Sequence, residues 1–246
     1  LLMEMTIPSL NGYTNTYANV GKTSNIGIDL TLNTVNVKTR SFEWSTSINA
    51  AWQKDKIDEL ANGKEDDINN SWFIGQALGV IYGYQSAGIW KEEDAAEMAK
   101  FNAKGHSFQA GMARPVDQNG DYKIDPNDDR VVIGHTRPRW TFGMTNTFSY
   151  KNFDLSVMLY GRFDYMVDTG GEWQGGRYTQ RKINYYNENN KNAEYQKPIH
   201  DDGGGDPYYQ ILGYKNGSFL KVRNISLGYN FPQTLVKKWN LSNLKV

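Results

Sequence analysis

The stretch RWTFGMTNTFSYKNFDLSVMLYGRFD, residues 139–164, decides the fold, because large and small side chains alternate along nearly all of it. The large side chains fall into two series: Trp140, Phe142, Met144, Asn146, Phe148 and Tyr150, followed by Phe153, Leu155, Val157 and Leu159. A period of two predicts two β-strands, each with one apolar and one polar face. Lys151-Asn152 lies between them, and Asn tolerates the positive φ of a tight turn. The stretch therefore predicts a long antiparallel hairpin.

The length of this hairpin and the positions of its aromatic rings leave two interpretations open. Each arm has about ten residues or more, whereas globular strands most often have about five or six. Aromatic side chains cluster at the arm ends, with Trp140 at one end and Phe148, Tyr150 and Phe153 around the turn. Transmembrane β-strands have about 9–11 residues, an apolar outer face and aromatic girdles. Soluble β-sandwiches also alternate, but usually with shorter strands.

Composition excludes several classes of protein. The 246 residues carry 27 basic and 27 acidic side chains, so no nucleic-acid partner is indicated. Cysteine is absent, which excludes disulfide frameworks and thiolate chemistry. No apolar run approaches the length of a transmembrane helix, and the opening LLMEMTIPSL lacks the pattern of a signal peptide. A mean hydropathy of −0.68 is compatible with a membrane barrel, since half of each spanning strand faces a polar lumen.

Alternation elsewhere predicts further strands. Residues 23–37 and 42–52 form a second hairpin with a short link at 38–40, and Ile26, Ile28, Leu30 and Leu32 share its apolar face. We interpret the charged segment 54–70 as a loop and residues 72–84 as a strand. Residues 218–231 form another strand, in which a change of parity predicts a β-bulge near Arg223-Asn224. In total, six or seven strands are expected.

The connections between the strands alternate in length. Residues 38–40 and 151–152 are short links, whereas 85–138 and 166–216 are long and contain one predicted helix at 92–101. Outer-membrane barrels have short periplasmic turns and long extracellular loops. The alternation therefore favours a barrel in a membrane. After Pro232, a helical turn and the start of a further strand at 241–246 are expected.

Four stretches carry a resemblance to a known family. They are NVGKTSNIGIDLTLN (19–33), IYGYQSAGIW (81–90), DQNGDYKIDPNDDRVVIGHTRPRWTFG (117–143) and SFLKVRNISLGYNFP (218–232). In order and spacing the sequence resembles the C-terminal part of SusC/RagA-type TonB-dependent outer-membrane transporters of Bacteroidetes. The fold class expected from the resemblance is all-β, part of a large antiparallel transmembrane barrel with long extracellular loops, in the twenty-two-stranded class. Residues 1–246 would be a C-terminal portion of such a barrel, without the plug domain and the final strands.

The resemblance also implies partners and a location. Members import oligosaccharides, or in some cases peptides, across the bacterial outer membrane. A SusD-like surface lipoprotein delivers the substrate, and a TonB–ExbB–ExbD complex supplies energy through the plug. This segment would contribute barrel wall, contacts with outer-membrane lipid, and extracellular loops. Asp29, Thr145 and Ser156 would face the lumen, and the segment would carry out no bond chemistry.

The acidic segment 117–128 has the ligand spacing of a calcium loop. The candidate ligands, at loop positions 1, 3, 5, 7, 9 and 12, are Asp117, Asn119, Asp121, Lys123, Asp125 and Asp128. Calcium prefers carboxylate and carbonyl oxygens, and position 7 would use its backbone carbonyl. Tyr122 stands where such loops have Gly, and Asp128 replaces the usual Glu. The alternative is an Asx-rich turn closed by its own backbone.

Aromatic residues in the second long loop are the candidate substrate contacts. They are Trp173, Tyr178, Tyr185 and Tyr186, with Tyr208 and Tyr209 nearby. Flat rings beside Asn and Asp side chains can stack on sugars and bind their hydroxyls, although packing within the loop explains the same composition. The three histidines show no metal-ligand spacing, and the acidic pairs lie in loops, so no catalytic site is predicted. The runner-up function is a secreted soluble glycan-binding module with a calcium-stabilised loop.

Overall fold

The computed structural model describes residues 2–6, 10, 12, 14–19, 21–61, 63–170, 183–198 and 205–246. Five long strands form one sheet: β3 (Lys22–Lys38), β4 (Phe42–Glu59), β9 (Trp140–Tyr150), β10 (Phe153–Phe163) and β13 (Phe219–Tyr229). The other strands form four short antiparallel pairs: β1 (Leu2–Thr6) with β2 (Asn15–Asn19), β5 (Val80–Tyr84) with β8 (Arg130–His135), β6 (Ser86–Ile89) with β7 (Ala113–Pro115), and β11 (Met166–Asp168) with β12 (Tyr214–Asn216).

The five-stranded sheet is an up-and-down meander in chain order. Each strand pairs antiparallel with the next one of the five, and the register runs without a break from Tyr150↔Phe153 to Trp140↔Phe163 in the central hairpin. At one end of the strands all the links are short, and we call it the short-turn end. The connections at 60–139 and 164–218 lie at the other end of the strands, the long-loop end. The alternation of connection lengths expected from the sequence is therefore present.

One face of the sheet is apolar across all five strands. Its middle row joins Leu32, Ile48, Met144, Leu159 and Val222 by direct cross-strand pairing. The side chains are open to the outside: Ile28 is 67% exposed and Leu227 is 69% exposed. In the described ranges no second sheet covers this face, so the sandwich packing required by a soluble β-protein is not seen there. We call this surface the apolar face.

Aromatic side chains border the apolar face on two levels. Trp44 stacks on Phe148 near the short-turn end, with 5.8 Å between ring centroids, and Trp52 lies 6.3 Å from Trp140 near the long-loop end. Eight residues separate the two levels along β4, which corresponds to about 26 Å of strand. With a strand tilt of about 40°, the band is about 20 Å tall, close to the apolar band of about 25 Å in outer-membrane barrels.

One polar cluster interrupts the apolar face, and its groups satisfy one another. The Asn146 side-chain oxygen accepts hydrogen bonds from the Thr46 hydroxyl (2.7 Å) and from Trp44 Nε1 (3.1 Å). The Asn36 amide donates to the same Thr46 hydroxyl at 2.7 Å. A polar group facing lipid costs several kcal/mol if unpaired, so this mutual pairing explains how Asn146 is tolerated in the apolar series.

The opposite face is polar and carries the predicted lumen-facing residues. Asp29, Thr145 and Ser156 alternate along their strands with the residues of the apolar face and therefore lie on the opposite face. Their direct cross-strand partners on that face are Ala51, Ser47 and Thr147, respectively. Small hydroxyl side chains dominate the centre of this surface, which we call the polar face.

The structure confirms some of the predicted details of the strands and contradicts others. The expected bulge is confirmed: Met158 pairs with Asn224 and Leu159 with Val222, which leaves Arg223 as the extra residue. The positive φ of the hairpin turn falls on Lys151 (φ 53°), not on Asn152 as expected. The expectation that residues 54–70 are a loop is wrong for the first six, because β4 continues to Glu59. The strand expected at 72–84 is confined to β5.

The remaining strand and helix expectations are largely met. A single 3-10 turn (Glu92–Asp94) leads into α1 (Ala95–Ala103), where a helix was expected. After β13, α2 (Gln233–Val236) and a 3-10 turn (Lys237–Trp239) bring the chain back towards the sheet. Tyr229 and Val246 then exchange two backbone hydrogen bonds around an isolated bridge between Asn230 and Lys245, so the strand expected at 241–246 is not formed as a regular strand in the described residues. In the described parts of the chain, no helix is long and apolar enough to cross a bilayer.

Candidate functional site

The two long connections pack together at the long-loop end of the sheet, and we call this part the loop layer (the described residues of 60–139 and 164–218). Among its described residues, two hydrophobic cores hold it, and a smaller cluster joins Leu60 to Ile57 near the end of β4. The first joins Ile89 and Ala113 of the first connection to Tyr186, Tyr195, Ile211 and Leu212 of the second. The second lies within the first connection and consists of Trp90, Met98, Phe101, Phe108, Met112 and Ile124. Because the first core uses both connections, neither forms an independent loop.

Trp90 is the centre of the second core and is fully buried. Its ring lies 5.6 Å from Phe101 and 5.4 Å from Phe108, and the Arg114 guanidinium covers it at 4.4 Å. Arg114 also pairs with Glu97 on α1 at 2.7 Å. The aromatic core thus fixes the position of α1 relative to β6 and β7.

A first opening in the loop layer, the histidine cleft, has a volume of about 580 Å³. His106, Phe108, Lys197 and Tyr208 lie on its walls. Burial raises the pKa of Tyr208 to about 12, so its hydroxyl stays protonated and can donate a hydrogen bond. The mixture of rings with a few polar groups is typical of binding sites for organic ligands.

The Asp206 carboxylate anchors the segment that carries Tyr208. It accepts hydrogen bonds from the backbone N–H of Ala113 (2.5 Å) and of Tyr208 (2.9 Å). Burial raises the pKa of Asp206 above its usual range, and these two donors act in the opposite direction. Asp206 therefore ties the second connection to β7 beside the histidine cleft.

A second opening, the tyrosine cleft, has a volume of about 640 Å³ and shares Ala110, Lys197 and Pro198 with the histidine cleft. Tyr185 lies on its wall and is 40% exposed, which suits the predicted role in substrate contact. Tyr186 is only 6% exposed and belongs to the first core, so packing accounts for most of its surface. Trp173 and Tyr178 lie outside the described residues, and their predicted role stays a prediction.

The acidic loop is closed by hydrogen bonds from its own backbone. Asp117 accepts from the N–H groups of Gly120 (2.7 Å) and Tyr122 (2.8 Å), and Asp121 accepts from that of Lys123 (2.8 Å). Tyr122 itself takes the left-handed conformation, with φ 65°, at the position where calcium loops have Gly. These bonds match the Asx-turn alternative.

The charged groups of the loop are also paired with one another. Lys123 Nζ lies 3.0 Å from Asp125, and this contact lowers the pKa of Asp125 and raises that of Lys123. Asn119 accepts from the N–H of Asp121, and Asp128 donates its own N–H to Asp125. Among the described residues, no three His, Cys, Asp or Glu side chains converge as metal ligands. The calcium site stays a prediction.

We predict that Ca²⁺ binding to the natural full-length protein releases measurable heat, which the paired substitution Asp117→Asn with Asp121→Asn abolishes. Carboxylate oxygens that accept one backbone hydrogen bond keep a lone pair for a metal ion. Isothermal titration at constant ionic strength tests this, with Glu188→Gln as a control for general loss of negative charge. A wild-type protein that is folded and gives no heat would contradict the calcium hypothesis.

Asp129, one residue beyond the predicted ligand set, holds the loop together. Its side chain is fully buried and accepts from the backbone N–H of Gln118 (2.8 Å) and of Asp125 (2.8 Å), so one carboxylate joins both ends of the loop. Sequence reasoning missed it because it fits no ligand spacing. The Asp128-Asp129 doublet was the available signal.

Asp129→Asn is expected to lower the local stability of the loop by about 2 kcal/mol, because an amide has one acceptor atom and leaves a buried N–H unpaired. Hydrogen exchange of the Gln118 and Asp125 amides in EDTA measures this without any contribution from calcium. Asp121→Asn is the matched control. Its single exposed bond from Lys123 survives in the amide, so we expect a change within about 0.5 kcal/mol. Equal effects of the two substitutions would contradict the structural role of Asp129.

His106 connects the acidic loop to the histidine cleft. Its Nε2 accepts a hydrogen bond from the backbone N–H of Ile124 at 2.9 Å, which requires the neutral ring, and the ring stacks on Phe108. Burial lowers the pKa of His106, Lys123 acts in the same direction, and Asp129 opposes them. The histidine thus favours its neutral form in the folded protein.

The loop layer is therefore expected to loosen as the pH falls. Because the folded pKa of His106 is depressed, its stabilising contribution is complete above the unfolded pKa of about 6.5 and is lost as pH falls through the folded value. Protonation also ends the bond to Ile124. Hydrogen exchange of the Ile124 amide between pH 7 and pH 5, corrected for intrinsic rates, measures the effect. In His106→Gln, whose amide oxygen accepts at any pH, the pH dependence should disappear. An unchanged profile in that variant would contradict the assignment.

The two-faced antiparallel sheet with aromatic borders and a folded loop layer at one end defines a class of protein, a transmembrane β-barrel whose wall these strands form in part. The fold is all-β: the described residues form thirteen strands and only two short α-helices. No family model matches the chain.

Comparison with known proteins narrows the class. The chain is 29% identical over its whole length to the TonB-dependent receptor P26 of Formosa agariphila and 25% identical to the TonB-dependent receptor P3 of the same organism. It is also 26% identical, over 87% of its length, to the TonB-dependent receptor SusC of Bacteroides thetaiotaomicron. The chain spans about a quarter of the length of these curated relatives.

Solved structures agree on the fold. The RagAB peptide transporter superposes over the whole chain with a TM-score of 0.68 at 20% identity, and the chain covers 27% of it. The RagAB peptide importer in its open-open state superposes over 96% of the chain, with a TM-score of 0.67 at 22% identity, and the chain covers 25% of it. The resemblance to SusC/RagA-type TonB-dependent transporters is therefore confirmed.

Proposed function

We propose that this chain is the C-terminal part, residues 1–246, of the barrel of an outer-membrane transporter that imports oligosaccharides with energy from a TonB–ExbB–ExbD complex. The observation that carries the proposal is the sheet itself. It has an uncovered apolar face bordered by Trp44 and Trp52 on two levels, and a polar face behind it. Similarity to TonB-dependent receptors along the whole chain also supports the proposal.

The loop layer supports a role in substrate delivery at the cell surface. It lies at the long-loop end, which is extracellular in barrels of this class. A SusD-like lipoprotein is the proposed partner on its outer surface. The exposed ring of Tyr185, which lines the tyrosine cleft with Asn187 and Asn189, can stack on a sugar ring while the amides bind hydroxyl groups. Oligosaccharides are therefore the first candidate substrate.

Peptides are the second candidate, and the observation that favours them is the likeness to the RagAB peptide importer. At 22% identity that likeness supports the fold, whereas the sequence relatives above 25% identity are named as receptors. No bond chemistry is proposed for the segment. A soluble glycan-binding module is less well supported, since the described residues leave the apolar face uncovered.

Uptake by a strain that lacks the gene tests the proposal. Fluorescently labelled neutral and acidic oligosaccharides, and labelled tripeptides, are supplied to wild-type, deleted and complemented cells. We expect loss of at least one oligosaccharide on deletion, restored by the natural gene and accompanied by co-purification of a surface lipoprotein from outer membranes. Loss of tripeptide uptake alone would establish the second candidate, and unchanged uptake of every probe would contradict both.

A further inference from the structure

Five side chains on the polar face of β10 and β13 form a cluster of cations and aromatic rings. We call it the cationic cluster; its members are Tyr160, Arg162, Phe219, Lys221 and Arg223. Tyr160 pairs directly with Lys221, and Arg162 with Phe219, so the members lie on one surface. The bulge at Arg223 adds a third cation to that surface, because its guanidinium lies 5.3 Å above the Tyr160 ring.

The aromatic rings hold the cations in position. Arg162 lies 5.7 Å from the centre of the Tyr160 ring, and its Nε donates to the Tyr160 hydroxyl at 2.7 Å. Lys221 lies 5.3 Å from the centre of the Phe219 ring. Such contacts attract each cation to the ring and restrict its rotamers, but they do not neutralise its charge. The terminal nitrogens of Arg162 remain directed away from Nε.

No carboxylate neutralises these cations in the parts of the chain that the structure describes. Two other cations at the sheet are paired with carboxylates: Lys38 with Glu43 at 3.0 Å, and Lys245 with Asp154 at 2.9 Å. Asp164, two residues beyond Arg162, is already engaged by Arg139 and His135, each at 3.5 Å.

The remaining acidic side chain in this part of the polar face is too far away. Asp29 lies in the same cross-strand row as Arg162, three strands along. With about 4.8 Å between strands, the separation is about 14 Å, longer than the screening length of about 8 Å at physiological salt. Among the described residues, the cationic cluster is therefore a positive surface without a carboxylate partner, on the polar face next to the loop layer.

We infer that the cationic cluster binds acidic groups of the imported oligosaccharide, through carboxylate or sulfate oxygens. This inference rests on the proposed transport function and adds the class of substrate. Arginine presents a planar fork that matches such oxygens, and charge-assisted hydrogen bonds are the stronger kind. Lys221, opposite Tyr160, and the guanidinium groups of Arg162 and Arg223 beside the same ring place three positive charges close together, which suits a chain with repeated negative charge.

Binding to the natural full-length protein in detergent tests the inference with defined probes. They are tetragalacturonate, its neutral methyl ester, a sulfated galactan tetrasaccharide and tetraglutamate. The test variant is Arg162→Gln, Lys221→Gln and Arg223→Gln together. The matched control removes three cations away from the cluster, in Arg40→Gln, Lys54→Gln and Lys64→Gln. A further variant, Arg162→Lys with Arg223→Lys, keeps the charge.

We expect wild type to bind one of the two acidic oligosaccharides, and the test variant to bind it about tenfold or more weakly, as loss of charge-assisted contacts implies. The control should match wild type, the lysine variant should lie between, and added salt should weaken wild-type binding most. The neutral ester should not distinguish the variants.

Several results would overturn the inference: no binding of either acidic oligosaccharide by wild type, equal losses in the test and control variants, or binding of tetraglutamate alone. Uptake in cells separates this failure from failure of the transport proposal. If cells import a neutral oligosaccharide through the protein while the test variant binds acidic probes normally, transport stands and only the role of the cationic cluster is wrong.

Discussion

Trp90→Ala is expected to lower the free energy of unfolding of the loop layer by about 3–5 kcal/mol, the cost of emptying a large buried aromatic site. The substitution removes ring contacts with Phe101 and Phe108 and leaves the Arg114 guanidinium without its stacking partner. The described members of the second core belong to the long connections and not to the five long strands, so folding of the barrel should persist. Limited proteolysis should therefore cut the loop layer of the variant while heat-modifiable migration in gels is retained.

Two further variants separate loss of the buried ring from loss of any aromatic side chain in the loop layer. Trp90→Phe should cost less, because a ring remains and because Trp90 Nε1 is buried without a hydrogen-bond partner in the described residues. Tyr209→Ala removes a more exposed ring from the same layer and should change stability by about 1 kcal/mol or less. Proteolysis of Trp90→Ala at the wild-type rate would show that the second core does not hold the layer.

Leu32→Arg is expected to impair membrane assembly by about 2–4 kcal/mol, the cost of a cation on the lipid face at mid-bilayer depth. Leu32 lies in the middle row of the apolar face, paired with Ile48. Its neighbour Asn33 is on the polar face, so Asn33→Arg should assemble almost normally. The folded fraction of the natural full-length protein after refolding into vesicles at increasing urea measures both.

Depth along the strand separates lipid contact from ordinary burial. Ile26 lies beyond the level of Trp52 and Trp140, so Ile26→Arg should cost only about 0–1 kcal/mol. A face covered by a second sheet has no reason to show this gradient. Equal costs at Leu32 and Ile26 would therefore argue against the membrane interpretation.

Local patterns were sufficient to predict the sheet. The hairpin of β9 and β10, the apolar series of β3, and the bulge at Arg223 all follow from period-two alternation, which depends only on neighbours in sequence. The end of β4 was missed because Lys54 to Glu59 extends beyond the apolar band, and with charged residues around a single apolar residue, Ile57, no alternation indicates a strand.

The packing of the loop layer could not be predicted from local patterns, because contacts between residues distant in sequence hold it together. Tyr84 and Tyr208 meet edge-to-face at 5.3 Å across more than a hundred residues of sequence, and no local period indicates this. The position of Tyr186 was missed for the same reason. Its aromatic-rich surroundings in sequence predicted a substrate contact, whereas contacts distant in sequence bury it in the first core. The cationic cluster had a signal in sequence: Phe219, Lys221 and Arg223 share one parity.

The first core constrains how the two long connections can diversify. Ile89 and Ala113 come from one connection, and Ile211 and Leu212 from the other, so each connection supplies half of a shared interior. Grafting one of them from a relative with different side chains would expose the other half to water. Recombination that changes the outer surface should therefore succeed when both connections travel together, and the two should be inherited as one module although a strand pair separates them in the gene.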